Sequence, residues 1–186
     1  MPPRQLSADQ IIALLDLRPM PVEGGYFVET ERTGHLPATL IADTHAGQRS
    51  RFTAIYYLLT PSVMSAMHRL PGQETFHHYL GDPVEQLQLA PDGSGRIIVI
   101  GNDLAAGQRP QVVVPGGLWQ GSLVLPGAFG FALMGTTMSP GFHPEDYEHG
   151  DRATLTAAYP AFAAAIAART NATDAGNTTE VTVGPR

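Results

Sequence analysis

The chain has 186 residues, with eleven Lys and Arg against seventeen Asp and Glu, a net charge of −6 with histidine neutral. It contains no cysteine, which excludes disulfides, thiolate metal sites and a cysteine nucleophile. No basic cluster and no apolar stretch near the ~20 residues of a membrane helix occurs, so neither a nucleic acid nor a membrane is an expected partner.

The length fits one domain with a sizeable core. The first residues lead into a polar helix start and contain no hydrophobic run typical of a signal peptide. We therefore expect a cytoplasmic protein.

A short helix is predicted near the start of the chain. Ser7 followed by Gln10 has the spacing of a capping box, and apolar residues between 11 and 15 supply one face. The Arg18-Pro19 pair ends the pattern, which predicts a helix over about 7–17.

The middle of the chain has the pattern of an all-β protein. Gly and Pro recur about every eight to twelve residues and separate short runs rich in β-branched, aromatic and Leu residues, as in sandwiches and barrels. Turn residues at 91–95 and at 81–83 suit hairpins between neighbouring runs. The predicted strands are 25–30, 52–59, 63–69, 74–80, 84–90, 96–100, 111–114, 118–124 and 129–137.

The pattern returns to helix near the end. Residues 151–169 are rich in helix-forming Ala, with an interruption at Pro160. The remaining Thr-, Asn- and Gly-rich stretch, 170–186, has little to bury and is expected to be a disordered tail. Residues 1–169 are thus predicted to form one domain, with its barrel over about 25–149.

The densest group of ligand-type side chains lies between residues 68 and 81. A strand ending at His68, a Pro-Gly turn and a strand from Glu74 would place these two side chains together across a hairpin. Because side chains alternate along a strand, Glu74 and His78 should share one face, and His77 and Tyr79 the other. Two imidazoles and a carboxylate converging inside a barrel would suit Zn, Fe, Mn or Ni.

The spacing of His68, Glu74 and Gly81 resembles the first motif of the cupin superfamily, and Pro115, Gly117 and Gln120 resemble the second. Further segments are similar to the little-characterised cupin-5 branch. The resemblance implies an all-β, single-domain cupin jelly-roll barrel of the dTDP-4-dehydrorhamnose 3,5-epimerase type, with a short N-terminal helix, C-terminal helices and a homodimeric state. The matching segments are 23–30, 54–61, 68–83, 107–111, 114–120 and 140–142.

The motifs depart from the usual cupin ligand set at two positions. Leu70 replaces the second histidine of the first motif, and Gln120 replaces the histidine of the second. His77 stands where the branch places its histidine, whereas strand alternation favours His78 as the inward residue unless a bulge reverses it. The metal ligands that the resemblance implies are His68, Glu74, His77 and Gln120.

Three functions are compatible with these residues. The first is an isomerase or epimerase for a sugar or sugar-nucleotide-like substrate, with His68 or His77 as base, Glu74 as its orienting partner and Tyr79 or Tyr56 as acid. The second is a metal-dependent cupin enzyme, and the third a ligand-binding cupin without catalysis. The predicted catalytic residues are His68, Glu74, His77 and Tyr79, and the predicted ligand-binding residues are Glu23, Tyr26, Arg51, Tyr56, His78, Trp119 and Gln120.

A structural role is the alternative for each of these residues. His68 and Glu74 could simply fix a strand register, at ~0.2–1 kcal/mol for a cross-strand pair. Trp119 could be a core residue, the loop at Glu23 a bend before a strand, and Arg51 a solvated surface charge.

Overall fold

The computed structural model describes residues 6–37 and 49–171. Of the predicted tail, 170–186, the residues from 172 onwards lie outside the described residues. The prediction is wrong for its first residue, because Thr170 is buried and hydrogen-bonded to Ile166 and Arg152. The elements, in chain order, are α1 (Ala8–Leu14), β1 (Arg18–Pro19), β2 (Tyr26–His35), β3 (Ser50–Leu59), β4 (Ser65–Arg69), β5 (Glu74–Gly81), β6 (Val84–Leu89), β7 (Gly95–Ile100), β8 (Gln111–Val114), β9 (Trp119–Val124), β10 (Ala132–Met138), a 3-10 turn (Pro144–Asp146), β11 (Glu148–His149), α2 (Arg152–Ala158), a second 3-10 turn (Pro160–Phe162) and α3 (Ala163–Ala167).

The strands within the described residues form two antiparallel sheets that face each other as a jelly roll. The first has the order β1-β2-β3-β10-β5-β8, and the second has the order β11-β4-β9-β6-β7. The all-β fold class with flanking helices is therefore confirmed. No helix in the described part of the chain is long and apolar enough to span a membrane.

Among the residues that the structure describes, three apolar clusters hold the layers together. One fills the space between the sheets and includes Phe76 and Met134. The second joins the outer face of the second sheet to α2 and α3 through residues such as Leu87 and Leu155. The third packs α1, through Ile11, on the outer face of the first sheet. Each sheet is thus covered outside by a helix while its inner face lines the barrel.

Local signals at the chain start and at one turn are confirmed. Ser7 caps α1, and Gln10 returns a hydrogen bond to the Ser7 backbone, as the capping-box pattern predicts. The turn after Leu89 joins β6 and β7 as a hairpin in continuous register.

Two other predicted hairpins are wrong. β4 and β6 lie in the second sheet while β5 lies in the first, so both turns flanking β5 carry the chain from one sheet to the other. At the second crossing Gly81 has φ +97°, and a side chain there would stand 2.2 Å from the carbonyl oxygen of Phe131. Only glycine accommodates both the conformation and the close approach. His68 and Glu74 are consequently not strand partners.

Candidate functional site

A cavity of about 270 Å³ lies between the two sheets. Side chains from β3, β5 and β10 and the segment around β1 and β2 form its walls on one side, and His68 and Tyr147 come from the opposite sheet and the loop before β11. Most of the wall is apolar, contributed by residues such as Met20, Phe27 and Ile55. A largely apolar concave site with a few polar groups is typical of small-molecule binding.

His68 presents one ring nitrogen to this cavity. The imidazole is buried, and its Nδ1 lies 2.8 Å from the carbonyl oxygen of Ala66. A carbonyl only accepts, so Nδ1 carries the proton of the neutral ring and Nε2 keeps its lone pair. Within residues 6–37 and 49–171 no hydrogen bond to Nε2 is formed. The Tyr147 ring stacks on the imidazole with a centroid distance of 5.3 Å.

Glu74 is the buried carboxylate of the cavity. Gln120 Nε2 donates a 2.7 Å hydrogen bond to its Oε2. Burial raises the pKa of Glu74 above its ordinary value; the His68 ring opposes this and the charge of Glu23 adds to it. Hydrogen bonds from Thr136 and Gln120 also lower that pKa. The net effect is a raised pKa, with burial as the largest cause.

A second polar pair lies beside these groups. The Tyr57 hydroxyl donates to the carbonyl oxygen of Gly24 at 2.9 Å, and Ser65 donates to Glu23 at 2.9 Å. Burial, followed by the charge of Glu23, raises the pKa of the Tyr57 hydroxyl well above its ordinary value. A Cβ at Gly25 would stand 2.7 Å from the Tyr57 ring, so this glycine makes room for the aromatic wall.

Charged side chains also line the cavity. Arg32 binds Glu29 through two hydrogen bonds of 2.7 and 2.8 Å and also donates to the carbonyl of Phe142. Arg18 lines the same cavity with a side chain that is 71% exposed. Of these groups, Arg18 is the one that solvent reaches most freely.

Three predicted site residues line the cavity, namely Glu23, His68 and Glu74. Gln120 stands directly behind the carboxylate and contacts it. The Ala66 carbonyl holds the Nδ1 of His68, so the role of Glu74 as the orienting partner of His68 stays a prediction.

His77 and Tyr79 lie on the opposite face of β5, so their prediction as pocket residues is wrong. Burial alternates along the strand from Glu74 to His78, and the register shift against β10 falls only beyond His78. His77 Nε2 lies 3.1 Å from the Thr137 hydroxyl, and its ring stacks near Tyr79. Strand alternation therefore decides between the two adjacent histidines in favour of His78.

His78 shares the inner face of β5 but does not reach the cavity. Its Nε2 pairs with the carbonyl oxygen of Asp82 at 3.1 Å, and among the described residues its buried Nδ1 has no hydrogen-bond partner. The prediction of His78 as a ligand contact is therefore not supported by its position.

Four further predicted ligand contacts also lie away from the cavity. Tyr26 and Tyr56 belong to the cluster that packs α1. The Trp119 ring lies under the Arg69 guanidinium at 4.7 Å and packs with the cluster around the C-terminal helices. Arg51 is exposed at the start of β3. Tyr26, Tyr56 and Trp119 point away because a neighbouring residue of the same strand faces inward. Arg51 lies near the end of its strand.

The predicted metal ligands are not assembled. His68 and Glu74 reach the cavity, but His77 is on the outer face and Gln120 uses its amide nitrogen to hold Glu74. Across the ranges 6–37 and 49–171, no three His, Asp or Glu side chains come together as an ion-binding group. The donor set does not fit the three or four protein ligands that a bound transition metal takes.

Sequence reasoning missed several cavity residues. Tyr57 follows from alternation once Ile55 is assigned inward, since Thr53, Ile55 and Tyr57 all line the cavity. Thr136 on β10 carries no comparable signal. Tyr147 reaches His68 only through the loop that brings β11 beside β4.

Comparison with known proteins agrees with this architecture. The family model described as cupin superfamily (DUF985) matches residues 9–150. Uncharacterized protein YML079W of Saccharomyces cerevisiae is 32% identical over 137 residues, which cover 67% of this chain and 66% of that protein, just under two thirds of its length.

Two solved structures are also similar. A hypothetical protein from Leishmania major has a TM-score of 0.79 and 31% identity, covering 89% of this chain and 99% of its own. A Shewanella oneidensis protein solved by X-ray crystallography has a TM-score of 0.76 and 32% identity, covering 89% and 98%.

Proposed function

Because the chain belongs to the cupin superfamily, in the branch of the DUF985 family model, we propose that it is a small-molecule isomerase or epimerase that moves a proton within its barrel. The observation that carries this proposal is the pairing of His68 and Glu74 in one cavity. His68 has a proton-accepting Nε2, and Glu74 has a pKa raised by burial. A proton-accepting imidazole nitrogen and a carboxyl group whose pKa is raised by burial are the parts of general acid–base catalysis.

The proposed reaction is proton transfer next to a carbonyl group. His68 Nε2 takes the proton from the carbon beside the carbonyl, and the electron pair moves onto the carbonyl oxygen. Glu74 in its protonated form donates to that oxygen as negative charge develops there. When His68 returns the proton to the neighbouring carbon and the ionised Glu74 takes the proton of the hydroxyl group beside it, an isomer forms. An epimer forms when a solvent proton is added to the opposite face of the same carbon, His68 gives its proton to solvent, and Glu74 takes back the proton it donated to the oxygen.

The cavity volume limits the size of the substrate. About 270 Å³ is below the ~300–1,000 Å³ typical of pockets for drug-sized ligands. A single sugar ring or a small hydroxy-carbonyl compound is of suitable size. A nucleotide sugar would have to leave its nucleotide outside the cavity, beside the exposed Arg18.

We test the proposal by solvent exchange. Small hydroxy-ketones, hydroxy-aldehydes and free hexoses are incubated with the protein in D₂O, and proton NMR follows loss of the signal at the carbon beside the carbonyl. Substitution His68→Gln should lower the exchange rate at least ~100-fold, within the range for a positioned general base. His77→Asn removes an imidazole from the outer face of the neighbouring sheet and should change the rate less than about twofold.

A ligand-binding cupin without catalysis is the competing function. A non-catalytic cupin would bind one of these probes, which NMR line broadening would detect, but the bound probe would exchange no deuterium. If deuterium exchange proceeds at the same rate in wild type and His68→Gln, a group other than His68 acts as the base.

A further inference from the structure

A continuous chain of side-chain hydrogen bonds runs through the second sheet to Glu74. Arg96 Nε and Nη2 donate to Gln88 Oε1 at 3.1 and 2.8 Å. Gln88 Nε2 donates to Gln86 Oε1 at 2.8 Å, and Gln86 Nε2 lies 3.5 Å from Gln120 Oε1. Gln120 Nε2 then donates to Glu74 at 2.7 Å.

The strand register brings these residues together. Arg96 on β7 and Gln120 on β9 are both direct partners of Gln88 on β6, one on each side. Gln86 is two residues along β6 and so shares the inward face of that strand with Gln88.

The direction of every amide in the chain is fixed by its two ends. Arg96 only donates and ionised Glu74 only accepts, so each glutamine has to accept on the Arg96 side and donate on the Glu74 side. The carbonyl oxygen of Val113, 3.4 Å from Gln88 Nε2, gives a second acceptor for the same orientation. The amide dipoles are consequently aligned, with their positive ends towards Glu74.

Burial makes this alignment effective. The three glutamines are 0–2% exposed, and buried dipoles in a hydrogen-bonded series act in a low dielectric and polarise one another. Three buried amides are also costly unless each is satisfied, and here each finds a partner within the chain. Apolar residues would fill the same positions without the desolvation cost of a buried amide. We therefore expect these amides to have a role beyond packing.

We propose that Arg96 is a positioning residue for the candidate site, acting on Glu74 through Gln88, Gln86 and Gln120. The three amides orient the carboxylate and stabilise its ionised form, so that Glu74 can release as well as hold a proton. The catalytic meaning of this role rests on the proposed function. The effect on the carboxylate itself does not.

Other charged and titratable groups act on Glu74 and have to be kept constant in a test. His68 on β4 favours the ionised form, and Glu23 before β2 opposes it. Tyr57 on β3 and Tyr147 before β11 line the same cavity. None of these four is altered by the substitutions below.

The experiment measures the ionisation of Glu74 directly, without substrate. The side-chain carboxyl signal of ¹³C-labelled protein is followed by NMR from low to high pH, and Glu74→Gln identifies the resonance by its loss. Arg96→Met and, separately, Gln88→Met should each raise the Glu74 midpoint by about 0.5–1 pH unit, a roughly three- to tenfold stronger hold on the proton. Arg109→Met, which removes an exposed arginine bonded to loop carbonyls, is the matched charge control and should leave the midpoint unchanged.

The double variant Arg96→Met/Gln88→Met separates a chain from independent effects. A chain predicts that its midpoint equals that of Gln88→Met alone, because Arg96 then has no connection left to act through. Equal midpoints in wild type, Arg96→Met and Arg109→Met would overturn the proposal, as would additive shifts in the double variant. Arg96 is exposed, so we expect Arg96→Met to keep the fold. Circular dichroism checks that Gln88→Met, a substitution at a buried position, keeps the fold as well. The measurement needs no turnover, so failure of the proposed function leaves its outcome intact.

Discussion

The buried ion pair between Arg49 and Asp146 offers a sharp test of how the site is supported. Arg49 Nε donates to Asp146 Oδ2 at 3.0 Å and Nη2 to Oδ1, with side chains 0% and 5% exposed. Asp146 ends the turn just before Tyr147, whose ring stacks on His68. The pair therefore ties the start of β3 to the loop that closes one side of the cavity.

Asp146→Asn should destabilise the protein strongly. The substitution keeps the shape of the side chain but removes the negative charge opposite a buried guanidinium, and breaking a buried pair in this way costs about 3–5 kcal/mol. For a chain of this size each 1 kcal/mol lowers Tm by ~2–4 °C, so a fall of roughly 6–20 °C is expected. Urea unfolding followed by circular dichroism gives the free energy and calorimetry gives Tm.

Glu148→Gln is the matched control, an acid-to-amide change two residues away. Glu148 pairs with Arg69 at 2.6 Å, but the side chains are 52% and 37% exposed, and exposed pairs contribute about 0–1 kcal/mol. The double variant Arg49→Met/Asp146→Leu should recover most of the loss, because neither partner then leaves an uncompensated buried charge at this position. A loss below about 1 kcal/mol in Asp146→Asn, equal to the control, would refute the assignment of this pair as a buried structural support.

Other predictions follow from burial and strand alternation. Glu74 has a pKa above its ordinary 4.5 because of burial. The contribution of Glu74 to stability should thus be complete below pH 4.5 and be lost as pH rises through the folded-state pKa. The difference in free energy of unfolding between wild type and Glu74→Gln, from urea unfolding measured across pH, should therefore fall over that range. His77→Asn should leave ligand affinity unchanged by titration calorimetry, since the ring lies on the outer face. Leu155→Ala should cost ~2–5 kcal/mol in the same unfolding assay, because this 2% exposed side chain joins α2 to the second sheet.

Local chemistry explains why the strands and caps were predictable. Ser7 and Gln10 need only each other to cap α1, and the turn at 91–95 needs only its own Pro, Asp and Gly residues. The division of strands between sheets was not predictable this way. A Pro-Gly turn between β4 and β5 has the same composition whether it closes a hairpin or crosses between layers, and packing across the barrel decides the outcome.

Part of the candidate site was predictable because strand alternation is also a local property of the sequence. Alternation fixes which side chains of one strand face inward, and it correctly separates Glu74 from His77. Alternation cannot show that Tyr147 covers His68. That contact exists because β11 pairs with β4, which brings the loop before β11 over the His68 ring. The expected homodimer and the substrate stay predictions.

The central claim is that His68 offers a proton-accepting nitrogen to the cavity. Long-range ¹H–¹⁵N NMR on the histidine rings, with His68→Gln to identify the resonances, reports the tautomer directly. We expect the neutral ring to carry its proton on Nδ1, bonded to Ala66, with Nε2 unprotonated and shifted when a hydroxy-carbonyl probe binds. A neutral ring protonated on Nε2 would contradict the account, because His68 could then not act as the base in this cavity.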